Sequence, residues 1–264
     1  MASSSGARIN TPIAAYNALN ALNDVNRQLG NHQLRLATGK RINSVGDDPS
    51  GYTIAKQMEA RSAMMSAAVN NVGDAQTMMS TAEQSLQTIR DLFTTIQGKQ
   101  VAASNPAADS NAIASDVNQL KAEIDDVINN TNFDGKSLFS GAAFQATYAI
   151  DDNGGHMTIS FDAHTATFAT VSSATVASTS FASNISTIET ALQAIGSYMQ
   201  RLDAKTTNLN TAITNIEASK SRIYDADIAK EQLETSKLQI LQQTSVTELS
   251  QANASSQVFL TLFK

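Results

Sequence analysis

The sequence contains no cysteine and no tryptophan, and only three of its 264 residues are proline. The absence of cysteine excludes disulfide cross-links and thiol chemistry. Charged residues make up 16% of the chain and aromatic residues 5%, so most of its polar surface must come from Ser, Thr, Asn and Gln. A sequence rich in alanine and small polar residues suits long helices that pack closely against their neighbours.

Charge and hydropathy also exclude several classes of protein. The formal net charge is −6, whereas a nucleic-acid-binding domain carries a basic stripe, so no nucleic-acid partner is expected. No basic amphipathic segment occurs, and no apolar run approaches the roughly eighteen residues of a membrane span, so no membrane partner is expected. The first residues lack the apolar core of a secretory signal. On these grounds alone the cytoplasm is the expected location.

Apolar residues near the N-terminus recur at alternating intervals of three and four, which is typical of a helix that pairs with another helix. The repeat consists of Ala15, Ala18, Leu22, Val25, Leu29 and Leu36, with His32 in one of its places. A break follows at Thr38-Gly39 and again at residues 45–51. There Pro49 predicts the first residue of the next helix, with Asp48 as its N-cap.

The remaining pattern predicts two more helices, a hairpin and a return to helix. Helices are expected at about 50–101 and 109–131, and fifty helical residues span roughly 75 Å, more than a compact domain needs. Between 144 and 161 apolar and polar residues alternate around a Gly-rich turn, which predicts a β-hairpin. The helical rhythm then resumes from about 184. We therefore predict a mainly α fold with a small β insert, in which the two terminal arms pair as an antiparallel helical bundle or coiled coil.

The most apolar stretch of the chain lies at its C-terminus. Val246 and Leu249 continue the spacing of three and four, and the final seven residues contain Val258, Phe259, Leu260, Leu262 and Phe263. An exposed apolar strip of this size is an aggregation hazard on a lone monomer. Another surface must therefore cover it.

No motif of the sequence predicts catalysis, a metal or a cofactor. Gly39-Lys40 lacks both the preceding glycine and the following Ser/Thr of a phosphate-binding loop. The paired acids at 47–48, 125–126 and 151–152 suit turns and helix caps better than a catalytic pair. The three histidines do not form the spacing of a zinc protease.

Five segments, in the same order, resemble signatures of bacterial flagellins. Residues 38–51, TGKRINSVGDDPSG, resemble SGLRINSAxDDAAG, and residues 131–139, TNFDGKSLF, are similar to TxFNGxxLL. Residues 221–229, SRIYDADIA, resemble SRIRDADxA. Residues 237–243 and 249–253, KLQILQQ and LSQAN, resemble KxQILQQ and LAQAN. The resemblance extends over about 9–140 and 184–264.

The resemblance implies a non-enzymatic structural subunit of the bacterial flagellar filament, polymerised into a helical tube that serves as the propeller for swimming. Flagellin termini form a coiled coil that lines the filament channel and becomes ordered on assembly, so neighbouring copies would cover the apolar C-terminus. Flagellins are exported unfolded without cleavage, which moves the expected location to the cell exterior. The implied partners are identical subunits, the export machinery and its chaperone, and junction and cap proteins.

The resemblance also implies a division of the chain and a set of interface residues. Residues 1–44 and 220–264 would form the inner tube, 45–140 and 184–219 a rod-like domain with a hairpin, and 141–183 a small β-rich outer insert. The core helices would contact other subunits through Leu22, Val25, Leu29 and Leu36 at one end and Leu241, Leu249, Val258, Leu260 and Phe263 at the other. Arg41, Asn43, Asp47 and Asp48 would form a link between subunits, although helix capping explains the two acids equally well.

Two departures from the family pattern carry predictions. Residues 86–92, LQTIRDL, match the LQRVREL of flagellins that the vertebrate Toll-like receptor recognises, so Thr88, Arg90, Leu92 and Glu123 are the receptor-facing candidates. Thr88 stands in place of an arginine, and the loss of a bidentate donor predicts weak recognition. Tyr224 replaces an arginine of the third signature, which is expected to remove one ion pair.

Three other functions compete with the filament subunit. A hook–filament junction protein shares the terminal helices but does not form long fibres; residues 237–243 and the C-terminal segment favour the filament subunit. A soluble helical adaptor would never polymerise. An enzymatic flagellin would need His156 and His164 as zinc ligands.

Overall fold

A computed structural model describes residues 13–139, 144–151, 154–161, 175 and 181–262, and most of them lie in five helices. These helices are α1 (Ile13–Thr38), α2 (Pro49–Ala103), α3 (Ser110–Asn130), α4 (Ala182–Tyr224) and α5 (Ile228–Leu262). The prediction of a mainly α fold with a small β insert is confirmed. Pro49 opens α2 as predicted, and the Asp48 carboxylate accepts a hydrogen bond from the Gly51 amide at 2.9 Å.

Two antiparallel hairpins lie between α3 and α4 in the sequence. The longer pairs β3 (Phe144–Ala149) with β4 (His156–Phe161), in a register that sets Thr147 opposite Thr158. This is the predicted hairpin. The shorter pairs β1 (Asn132–Phe133) with β2 (Lys136–Ser137). Its turn residues Asp134 and Gly135 have φ of 51° and 74°, the positive values that a tight hairpin turn requires. Of the predicted outer insert, residues 141–143, 152–153, 162–174 and 176–180 lie outside the described residues.

The chain divides into two compact units. The terminal unit comprises the residues up to Glu59 together with those from Ile216 onward. It therefore contains α1, the first turns of α2, the last turns of α4, and α5. The central unit is Ala60–Asn215, which holds α3, both hairpins and the remaining parts of α2 and α4.

The core of the central unit is built from one apolar stripe on each of its helices. The stripe of α2 is almost completely buried because its apolar residues return every three or four positions to the same helix face. Fully or almost fully buried members are Val72, Ala75, Met79, Ala82, Leu86, Ile89, Phe93 and Ile96 on α2, Val117 and Ile124 on α3, and Ile188, Ile195 and Leu202 on α4. The Phe93 ring also packs against Phe181 with a centroid separation of 5.8 Å.

Polar contacts join the elements of the central unit around this core. The Lys99 ammonium of α2 lies 2.6 Å from the Asp116 carboxylate of α3. The Asn71 amide of α2 donates to the Ala149 carbonyl of β3 at 3.1 Å. The Tyr148 hydroxyl donates to the Met78 sulfur at 3.3 Å, and burial raises the pKa of this tyrosine, with a smaller effect from the nearby Asp74 charge. The longer hairpin is thus attached to α2 by side chains as well as by the core.

Candidate assembly surface

The terminal unit is organised by the packing of α1 against α5. On α1 every position of the predicted heptad repeat is buried or half-buried, including Leu22, Val25, Leu29 and Leu36. The heptad repeat is therefore the face that α1 turns toward α5. These four leucine and valine residues lie in a seam within the chain, and their predicted contact with other subunits stays a prediction.

On α5 the seam is largely polar, and here the prediction from apolar spacing is wrong at one position. Glu231, Thr235, Leu238 and Ser245 are buried, whereas Val246 is half exposed. The buried residues keep the heptad intervals, but three of the four are not apolar. A pattern of hydrophobic residues alone therefore assigns Val246 to the seam in place of its neighbour Ser245.

Side-chain pairs cross the seam at two levels. The Glu231 carboxylate, about one-tenth exposed, contacts the His32 Nδ1 atom and lies 3.8 Å from the Arg35 guanidinium. Further along, the Gln242 amide donates to the Asn26 side-chain carbonyl at 2.7 Å. The Gln242–Asn26 pair is exposed, whereas Glu231 is buried. A buried polar group in a helical seam favours one pairing of the helices, because a shifted pairing leaves it without its partner.

The faces of α1 and α5 outside the seam carry large apolar side chains in contact with solvent. Leu233 is 65% exposed and Ile240 is 64% exposed. Other exposed members are Ile13, Tyr16, Leu19 and Leu34 on α1, and Ile228, Leu241 and Val246 on α5. A helix that is apolar on several faces is normally buried on all of them. Among the described residues, the terminal unit covers one face of α5, so the faces that carry Leu233 and Ile240 are available to a further surface.

The break between α1 and α2 lies beside the break between α4 and α5. Helix α1 ends with Gly39 at φ +68°, and the Gly39 amide donates to the Arg35 carbonyl at 2.8 Å, the usual left-handed helix stop. Lys40 then pairs with Asp225 as an antiparallel bridge. In this bridge the Arg41 amide donates to the Tyr224 carbonyl at 2.8 Å, and the Ala226 amide donates to the Gly39 carbonyl at 2.9 Å.

The side chains of Lys40 and Arg41 reinforce this bridge. The Arg41 guanidinium donates to the Ile223 carbonyl from Nη2 at 2.6 Å and from Nε at 3.2 Å. It also lies 3.7 Å from Asp48. The Lys40 ammonium lies 5.2 Å from the centroid of the Tyr224 ring, within the range of a cation–π contact. Tyr224 provides the ring for this contact, and the expected loss of an ion pair at this position stays a prediction.

The two acids of the link accept hydrogen bonds from backbone amides of the same chain. Asp47 accepts hydrogen bonds from the backbone amides of Ser44 at 2.8 Å and Asn43 at 3.0 Å. These two backbone hydrogen bonds, the Ser44 one foremost, hold the pKa of the Asp47 carboxyl below its usual value. The Asn43 side-chain amide donates to the Lys40 carbonyl at 3.0 Å. Asp47 therefore closes a turn, whereas Asp48 caps α2 by accepting from the Gly51 amide. The helix-capping interpretation is supported by geometry for Asp48, and a contact of either acid with other subunits stays a prediction.

The predicted C-terminal interface residues are only partly described. Leu241 is exposed on α5, and Leu249 is half-buried. Val258 and Leu260 lie in α5, but their side chains, like all of Phe263, fall outside the described residues. The sequence prediction missed Leu233 and Ile240, which are the most exposed of the large apolar side chains described on α5. Their signal was present as apolar residues outside the heptad positions.

The receptor-facing candidates all lie in the central unit. Thr88 is exposed, and its hydroxyl donates to the Gln84 carbonyl at 3.0 Å. Arg90 is half-buried and lies 2.7 Å from Asp91, while Leu92 is half-buried and Glu123 is exposed. Their joint role in receptor recognition stays a prediction.

The described part of the chain shows neither a metal-binding cluster nor a membrane-spanning helix. Among these residues no three His, Asp or Glu side chains lie together in a group that would hold a metal ion. His156 is exposed there, and His164 lies outside the described residues. None of the described helices is long and apolar enough to cross a membrane.

Comparison with known proteins matches almost the whole chain. The family model of the bacterial flagellin N-terminal helical region matches residues 9–143, and that of the C-terminal helical region matches residues 179–263. Flagellin FljK of Caulobacter vibrioides is 32% identical over 270 residues, which cover 97% of this chain and 98% of that protein. The flagellin of Bacillus subtilis is 29% identical over 305 residues, covering 97% of this chain and all of that protein.

A similar solved structure is the crystal structure of Bacillus cereus flagellin, with a TM-score of 0.33 and 20% sequence identity. It covers 58% of this chain and 88% of that one. This likeness is too weak to compare the arrangement of elements.

A helical chain with paired terminal arms and exposed apolar faces on both arms belongs to the class of helical proteins that associate with other protein surfaces. The match of both terminal regions and of close to full-length relatives makes the assignment specific: the chain belongs to the bacterial flagellin family.

Proposed function

We propose that this chain polymerises into the tube of a bacterial flagellar filament and works there as a structural subunit without catalytic activity. The observation that carries the proposal is the set of apolar side chains left exposed on α1 and α5, with Leu233 and Ile240 each about two-thirds exposed. Burying such surface is the main favourable contribution to association. An identical chain offers a matching surface in every copy, and heterologous contacts that do not close produce an open helical polymer.

We assign a different structural role to the terminal arms, the central helices and the insert. Residues 1–44 and 220–264 form the inner tube, residues 45–140 and 184–219 form the surrounding rod, and residues 141–183 form the outer insert. The packing of α1 on α5 supports the first assignment, and the buried stripe of the central unit supports a self-contained rod. Leu22, Val25, Leu29 and Leu36 would then act by holding α1 on α5, while exposed residues such as Leu241 contact other subunits.

The proposed location is the outside of the cell, in the filament. The relatives named above are flagellins, and a filament subunit must leave the cell before it assembles. We include the export machinery, its chaperone, and the junction and cap proteins among the partners, because a filament is built from exported subunits between a junction and a cap. Recognition by the Toll-like receptor is proposed to be weak, since Thr88 lacks the guanidinium of an arginine.

Truncation after residue 249 tests the proposal against its two main alternatives. Full-length protein, concentrated and salted out, should form fibres of micrometre length in electron micrographs. The truncated chain should remain monomeric while its central unit melts at an unchanged temperature. A junction protein would form no long fibres at full length, and an adaptor would behave alike with and without the last fifteen residues. Either result would refute the filament role.

A further inference from the structure

We propose that Arg41, together with the contact between Lys40 and Tyr224, acts as a positioning device that fixes the register of α5 against α1. We call these three side chains the break clamp. The inference rests on the proposed function, because the register of the two arms determines the apolar surface that a subunit presents to its neighbours. The inference gives Lys40 and Arg41, in the segment between α1 and α2, a role within the chain.

The clamp lies where both arms change direction. Helix α1 ends at Thr38, α4 ends at Tyr224, and α5 begins at Ile228. Only three residues therefore connect α4 to α5, and the bridge between Lys40 and Asp225 ties this short connection to the end of α1. The contacts that hold this bridge in place therefore also determine where along α1 the first turn of α5 begins.

The chemistry of the clamp suits the end of α4. The carbonyls of the last helical turn have no partner within the helix, and the Ile223 carbonyl is one of them. Arg41 satisfies it with two donors from one guanidinium. Cations are also favoured at a helix C-terminus by the helix dipole, and both Lys40 and Arg41 are placed there. The Tyr224 ring holds the Lys40 ammonium at 5.2 Å from its centroid.

The seam contains both large and small buried side chains. Leu29 on α1 and Leu238 on α5 are buried, as are the small residues Ala15, Thr235 and Ser245. A shift by one helical turn moves the arms by about 5.4 Å. The contacts of Glu231 with His32 and of Gln242 with Asn26 oppose such a shift. The clamp adds a fixed point at the end of the seam.

Spin labels measure the register directly, because the chain has no cysteine of its own. Asn20 on α1 and Gln232 on α5 are both exposed, so Asn20→Cys with Gln232→Cys provides two unique attachment sites. Because Gln242 contacts Asn26, Asn20 lies opposite about position 248, and Gln232 is offset from it along the seam by roughly 24 Å at 1.5 Å per residue. An axial shift of one arm therefore changes the distance between the two labels. Polymers in which labelled chains are diluted by a large excess of unlabelled wild-type chain report the distance within one chain. The same pair is measured in the soluble chain. If the wild-type chain does not polymerise, the proposed function fails, and the clamp is judged on the soluble chain alone.

Removal of the clamp with Arg41→Ala and Tyr224→Ala should shift the distance between the labels by about 4 Å for a slide of one helical turn, or split it into several values. Arg41→Lys keeps a cationic donor for the Ile223 carbonyl, and Tyr224→Phe keeps the ring, so both should retain the wild-type distance. Arg27→Ala is the matched control, because it removes an exposed guanidinium from α1 that pairs, among the described residues, with Asp24 of the same helix.

A single narrow distance equal to that of wild type in the doubly substituted chain would overturn the inference. Exclusion of this chain from wild-type filaments that accept Arg27→Ala, with the melting of its central unit unchanged, would support it. If the doubly substituted chain is excluded, the label distance is measured in filaments that contain the single substitution Arg41→Ala. A label distance equal to that of wild type in this singly substituted chain also overturns the inference.

Discussion

Replacement of Leu233 and Ile240, two exposed apolar residues of α5, by serine should raise the critical concentration for polymerisation strongly. Full burial of a leucine or isoleucine side chain contributes about 1.5–3 kcal/mol. Leu233 and Ile240 are 65% and 64% exposed in the isolated chain, so about two-thirds of that contribution, or roughly 1–2 kcal/mol each, remains to be gained on assembly. Leu233→Ser with Ile240→Ser should therefore weaken subunit addition by about 2–4 kcal/mol.

Each 1.4 kcal/mol changes an association constant about tenfold, so the critical concentration should rise by about 30-fold to 700-fold. The assay is sedimentation of seeded polymer, in which the protein that remains soluble at equilibrium gives the critical concentration. Leu233→Met with Ile240→Met is the matched control, because methionine keeps the apolar volume and a good helix propensity. It should stay within about threefold of wild type.

The serine substitutions should leave the fold of the isolated chain intact, since both positions are exposed and outside the seam. Circular dichroism of the soluble chain checks this point. A serine variant that polymerises at the wild-type critical concentration would show that this face of α5 stays uncovered in the polymer. The reasoning from exposed apolar surface would then be wrong.

Three further predictions concern other parts of the chain. Phe93→Ala should lower the unfolding free energy of the central unit by about 3–5 kcal/mol in chemical denaturation, because a fully buried ring is lost; a loss below about 1 kcal/mol would contradict the core assignment. The pKa of Asp47 is lowered in the folded chain, so its stabilisation of the link is present above the usual value of 3.8 and disappears as the pH falls through the lowered value. Hydrogen exchange of residues 39–51, corrected for its intrinsic rate, should accelerate over that acidic range, whereas Asp47→Asn should exchange rapidly at every pH. Thr88→Arg should bind the Toll-like receptor at least about tenfold more tightly by supplying a charged donor, and an affinity no higher than that of wild type in titration calorimetry would refute that role.

The long elements of the fold were predictable because their patterns are long. Many turns of apolar residues at intervals of three and four define α2, and six alternating residues on each side of a Gly-rich turn define the β3–β4 hairpin. The residue pattern alone does not reveal the β1–β2 hairpin, because strands of two residues are too short to show alternation; a hairpin in the rod-like domain was expected only from the resemblance. Its Asp134-Gly135 turn was the only local signal.

The candidate surface was harder to predict, for two physical reasons. The seam face of α5 contains Glu231, Thr235 and Ser245 at buried positions, so apolar spacing could not identify it. The contacts of Arg41 with the Ile223 carbonyl join residues far apart in the sequence, and a backbone acceptor leaves no signal in the side chains. Once the true seam is known, the apolar residues outside it, Leu233 and Ile240, define the exposed face.

Solvent access at position 240 in the polymer tests most directly whether copies of the chain cover α5. Because the chain has no cysteine, Ile240→Cys introduces a single thiol in place of an exposed apolar side chain. A maleimide reagent should modify this thiol readily in the soluble chain and at least about tenfold more slowly in intact fibres, since reaction requires access to the thiolate. Equal rates of modification in the soluble chain and in intact fibres would contradict the account.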